Sequence, residues 1–286
     1  MSRAIPILSA ACVVGIGITG WLRLSGGEAG PAAPKAASGA AAPGARDAAG
    51  NALQAARRRC SIEALDAVVA DLTQRAIAAP QDPAAWHQLA EAHLERAQQR
   101  SHLRGIVVGE PVFTELPEAM ADDLEAGLAA VAEARRLGDD SGAIYRIEAG
   151  LMSQRITGLS AALQWNGKIV EALQKAGDKA GEDPSLHTAL GLRKMLAPTW
   201  FGHDPAAALE HFTFAAEASD DERPAVFAAM ATYLQHKRQQ AIAWLQRAVA
   251  KNPDNKFARV VLQRLRRGEE DPFGRDVTAS ELAAAK

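Results

Sequence analysis

The chain has 286 residues, 48% hydrophobic and 23% charged, with a formal net charge of −2. This is enough apolar residue for one large core or two small ones, and too little positive charge for nucleic acid to be a main partner. Aromatic residues make up only 5% while alanine dominates, which suits close-packed helices and disfavours a β-sandwich; two cysteines exclude a disulfide framework or a zinc site built on several thiolates.

Residues 1–24 read as a membrane anchor or signal peptide. Behind Arg3 runs an uncharged stretch from Ala4 to Leu22, followed by Arg23. At 1.5 Å per residue it spans about 28 Å, close to the hydrocarbon thickness of a bilayer. The run is long for a cleaved signal core, so an uncleaved anchor is the first expectation. A short basic N-terminus favours a domain outside the cytoplasm, on the periplasmic side in a bacterium. Gly15, Gly17 and Gly20 match a dinucleotide fingerprint in form only, because they lie inside this apolar run. Residues 25–52 read as an unfolded linker: 20 of the 26 residues from 25 to 50 are Ala, Gly or Pro.

From 53 to 268 the pattern is helical. Asp82-Pro83, Asp183-Pro184 and Asp204-Pro205 mark helix starts, with Asp as N-cap and Pro at the first position, and Ser61 is a further cap. A small–large–small stripe recurs as Gly127/Val131/Ala134, Ala208/Phe212/Ala215 and Ala241/Leu245/Ala248, the last two 33 residues apart. Such spacing puts alanines where two helices must approach closely. Four hairpins follow, at 83–138, 141–178, 184–219 and 224–251, with a leading helix near 61–79 and a capping helix near 255–267. Residues 269–286 read as a tail.

The stripe, together with Trp86-x-x-Leu89-Ala90-x-x-His93, resembles the tetratricopeptide repeat (TPR). The resemblance implies an all-α, right-handed solenoid that binds a protein or peptide on its concave face. Its motif puts His87, Glu91, Tyr145, Thr188 and Phe227 on that face, and the expected function is an anchored scaffold. Pro198–Phe212 also resembles the periplasmic T-component of tripartite transporters, which implies a ligand-binding transport accessory as the alternative.

Two inserts interrupt the hairpins, at 101–117 and 196–204. Val107, Phe113, Trp200 and Phe201 are their large apolar residues, expected to plug the groove or to edge a binding site. No catalytic constellation emerges. The seven histidines show no i, i+4 pair, and Asp122-Asp123, Asp139-Asp140 and Asp220-Asp221 read as turns and caps. Cys60 follows Arg57-Arg58-Arg59, a run that lowers a thiol pKa when it lies close, but at the border of the linker nothing would orient a substrate and the cysteine reads as incidental. The triplet itself reads as a solvated helix start. No enzyme activity, metal or cofactor is expected.

Overall fold

Asp and Pro open three helices as the spacing predicts. Asp82, Asp183 and Asp204 accept hydrogen bonds from first-turn N–H groups, with Pro at the start of each helix, and Ser61 caps the helix before them. The computed structural model describes residues 43–198 and 201–285. Among these residues twelve helices and no strand occur: α1 Pro43–Arg58, α2 Ile62–Ala78, α3 Pro83–Arg100, α4 Glu118–Arg136, α5 Gly142–Gln154, α6 Leu159–Ala180, α7 Pro184–Leu196, α8 Pro205–Ala218, α9 Arg223–Leu234, α10 Arg238–Lys251, α11 Lys256–Arg267 and α12 Ala279–Ala284. The proposed anchor at 1–24 lies outside the described residues, as does Trp200. Among the described residues no helix is long and apolar enough to cross a membrane.

The hairpins α3–α4, α5–α6, α7–α8 and α9–α10 each pack tightly. Their stripes are buried as the spacing requires: Ala134, Ala208, Phe212, Ala215, Ala241, Leu245 and Ala248 are fully enclosed. Two glycines, Gly127 of the first stripe and Gly191 on α7, are needed for close approach. A Cβ on Gly127 would lie 2.8 Å from the Leu151 side chain, and one on Gly191 would lie 2.5 Å from the Phe212 ring. The first helices α3, α5, α7 and α9 touch one another in succession, whereas α4, α6, α8 and α10 make no comparable contacts among themselves. The first helices are therefore the inner layer.

That layer closes on itself. Arg223, at the start of α9, donates to Glu95 at 2.8 and 3.0 Å and to Gln98 at 2.8 Å, both on α3. Beside it Arg57 pairs with Asp221, Arg58 donates to the Lys251 carbonyl at 2.8 Å, and Asn252 donates to the Arg58 carbonyl at 3.0 Å. Arg57 and Arg58 are thus the end of a helix joined to the last hairpins and not a solvated helix start, while Arg59 stays exposed.

Three further expectations change. Residues 43–52 are helical rather than linker, because α1 has a buried stripe of Ala49, Leu53 and Ala56 and alanine is the best helix former. The segment after Gly268 is no loose tail. Arg264, 1% exposed, donates to Glu281 at 2.8 Å through two nitrogens and to the carbonyls of Pro272, Arg275 and Asp276, which pins the segment down. Asp123 is no turn or cap but a buried residue within α4.

The insert at 101–117 pairs with this C-terminal segment. Val277 N–H donates to the Leu103 carbonyl at 2.8 Å and Ile106 N–H to the Phe273 carbonyl at 2.9 Å, an antiparallel arrangement. Gly105 is required between them, since a Cβ there would lie 2.5 Å from the Gly274 backbone. Buried apolar side chains form two clusters that divide within α7, Leu186 belonging to the first and Met195 to the second. The insert touches both, with Phe113 and Leu116 on the first and Leu103, Ile106 and Val108 on the second. It acts as an apolar strap.

Candidate partner-binding surface

The five concave-face candidates do not share one open groove. Phe227 lies half-buried in the second core cluster, its ring centroid 5.6 Å from that of Phe212. The reason is that α9 has no free face: Pro224–Val226 and Ala228–Thr232 are all buried, with strap residues packed in the same cluster. Thr188 turns its hydroxyl back onto the Pro184 carbonyl at 2.9 Å, a contact within its own helix. Glu91 accepts from Arg146 at 3.0 Å, joining α3 to α5.

His87 and Tyr145, by contrast, meet around the α4–α5 turn. His87 Nδ1 lies 2.6 Å from Asp139 Oδ2. Tyr145 is buried along its ring and donates its hydroxyl to Asp140 Oδ1 at 2.7 Å. The Arg135 guanidinium sits 4.8 Å over that ring, and Lys179 donates to Asp140 at 2.5 Å. Burial raises the Asp139 carboxyl, but hydrogen bonds from Ser141 and His87 outweigh it and hold the group below the usual carboxylate range. Hydrogen bonds from Lys179 and Tyr145 do the same for exposed Asp140.

Two open hollows adjoin here and share Asp139. One is lined by Ala132, Arg135, Arg136, Gly138, Asp139, Asp140 and Tyr145. The other is lined by Pro83, Ala84, His87, Gln88 and Asp139. Asp139, Asp140 and Arg135 were missed as site residues. The acidic pair was read as a turn, which it is, and nothing in the sequence shows that His87, 52 residues earlier, leans on it.

The insert residues serve packing. Phe113 lies on the first core cluster with the Arg104 guanidinium 5.2 Å over its ring. Val107 is 39% exposed at the strap's outer edge. Phe201 is half-buried, its N–H donating to the Pro198 carbonyl at 2.8 Å.

Two other titratable groups, Asp123 and Cys60, are structural. Burial raises Asp123, yet hydrogen bonds from His93, Arg96 and Arg100 prevail and hold it at about 2. These donors come from α3 and Asp123 from α4, so the carboxylate joins the two helices of one hairpin. Cys60 gains nothing from the arginine run: burial, with Glu222 and Asp254 nearby, pushes its thiol up to about 11. The neighbouring arginines face Asp221 and a carbonyl instead of the sulfur. Among the described residues no group of three or more His, Cys, Asp or Glu is placed to hold a metal ion. No protein-family model matches the chain, and no curated protein matches it.

Proposed function

We propose that the chain is a membrane-anchored scaffold of TPR-like hairpins in a right-handed solenoid, held outside the cytoplasm, that captures a protein or peptide partner. The observation that supports this reading is the pair of hollows sharing Asp139, one lined by His87 and the other by Tyr145, two of the expected contact residues. Arg135, Arg136, Asp139 and Asp140 line one hollow with Tyr145, and Lys179 pairs with Asp140. A mixed charged rim around an aromatic anchor suits a peptide of alternating charge better than an apolar metabolite.

The test is photo-crosslinking of the full chain in its native membrane, with the reactive residue at Gln88 or at Arg136. One protein adduct common to both positions, and absent from exposed Arg247 on α10, is expected. Equal labelling at all three positions, or none at the first two, overturns the surface. Recovery of the chain in the soluble fraction overturns the anchor.

A second reading, a ligand-binding accessory of a transport system, is favoured by one feature. The inner helices close through Arg223 and Glu95 instead of leaving an open groove. Retention of a small solute by the purified chain, with no protein adduct at Gln88 or Arg136, would select it.

A further inference from the structure

We propose that His187 and His211 form a two-imidazole site for a divalent cation of the copper, nickel and zinc class. The residues stand 24 apart in sequence, and the antiparallel packing of α7 on α8 brings their Nδ1 atoms to 3.1 Å. Around tetrahedral zinc, with bonds of about 2.0–2.1 Å, neighbouring ligand nitrogens lie about 3.4 Å apart. Around a square-planar ion they lie about 2.9 Å apart. The observed separation falls between the two, with the rings edge to face at 63°.

A second observation fixes which nitrogen is available. His187 Nε2 lies 2.9 Å from the Gly181 carbonyl oxygen. A carbonyl only accepts, so Nε2 carries the proton, and in the neutral ring Nδ1 presents a bare lone pair toward His211. A ring whose far N–H is tied to a backbone carbonyl is the usual outer support of a metal-ligating histidine. The Phe214 ring, 4.1 Å from that of His187, further limits its rotation. Each histidine also adjoins a fully buried core residue, Leu186 before His187 and Phe212 after His211, so both backbones are held.

In the metal-free protein His211 donates its Nδ1 proton to His187. Metal binding moves that proton to His211 Nε2, so two nitrogen–metal bonds replace one N–H···N bond and no net proton is released. Burial and the neighbouring His187 keep His211 below the usual imidazole range, which favours the neutral form that ligates. Glu210 and Lys194, of opposite sign, are the charged neighbours. With no third protein ligand among the described residues, water completes the coordination, and the ion is exchangeable rather than structural.

The test is calorimetric titration of the full chain with zinc chloride alone at neutral pH, beside His187→Gln, His211→Gln and, as a control, exposed His236→Gln. One saturable zinc ion is expected in the parent and the control, weakened at least about tenfold in either site variant, a loss of about 1.4 kcal/mol. Nitrogen NMR of the imidazoles gives an independent readout in the unaltered chain: zinc should shift Nδ1 of both rings together. No saturable binding up to about 1 mM, binding unchanged in both variants, or shifts confined to other histidines would overturn the site and leave the pair a hydrogen bond only.

Discussion

Asp123 is buried and Asp221 half-buried, and arginine holds both carboxylates ionised, but they sit in different kinds of joint. Asp123 takes its partners His93, Arg96 and Arg100 from the other helix of its own hairpin, 23 to 30 residues away. Asp221 pairs with Arg223 two residues on and with Arg57, 164 residues back. The first cluster stitches a hairpin together. The second ties the turn between α8 and α9 to the end of α1. Similar chemistry thus stabilises a local unit in one place and joins distant parts of the chain in the other.

The largest effect that separates these roles is expected from Asp123→Ala. It leaves two arginines and a histidine around an apolar gap and should cost about 3 kcal/mol, the low end for a broken buried pair because the arginines are partly solvated. Urea denaturation measures it, and small-angle scattering should show an unchanged radius of gyration. An expanded molecule would erase the distinction.

Acid should dismantle the two joints in order. His102, near Glu222, Arg223 and Lys256 at the distant joint, is lowered from 6.5 to about 4, chiefly by burial. A base with a depressed folded value stabilises the fold above its unfolded pKa, and that stability drains as pH falls from about 6.5 to 4. The whole window is worth up to about 3 kcal/mol. Asp123, lowered from 3.8 to about 2, loses its contribution only as pH falls through that lower range. In a stability–pH profile His102→Gln should remove the upper slope and keep the lower one. An unchanged upper slope would mean that another group sets it.

Arg223→Ala should cost about 2 kcal/mol, since Asp221 keeps Arg57 while Glu95 loses its partner. Its signature is expansion seen by scattering, the reverse of Asp123→Ala. The smallest effect belongs to the strap. Gly105→Ala forces a Cβ onto the Gly274 backbone and should cost about 1–2 kcal/mol. Hydrogen exchange should quicken at Ile106 and Val277 while the hairpin amides stay protected. Uniform loss of protection would show that the strap is part of the core.

Helix starts and the buried stripe were legible because both are local: a cap acts over three residues, and the stripe repeats at helical spacing. The first helix was not, because its Ala- and Gly-rich composition is also that of a linker and only Ala49, Leu53 and Ala56 mark a face. Phe227 was misplaced for a different reason. The repeat motif assigns a groove side to each first helix, but whether that side stays open depends on Leu103, Ile106 and Val108, whose contacts lie more than a hundred residues away. His187 and His211 were similarly unpaired on paper, since a pairing across two antiparallel helices leaves no i, i+4 trace.

The antiparallel strap has a consequence for how the chain folds. An array of repeats that touch only their neighbours gains and loses order stepwise, frays from its ends, and tolerates trimming. Here Leu103 hydrogen-bonds Val277, and Arg57 reaches Asp221. Contacts of such sequence separation form only after most of the intervening chain is ordered, which slows folding and ties the two ends to a common fate. The two ends of the chain are therefore fastened last and released first, while the hairpins between them keep their own order.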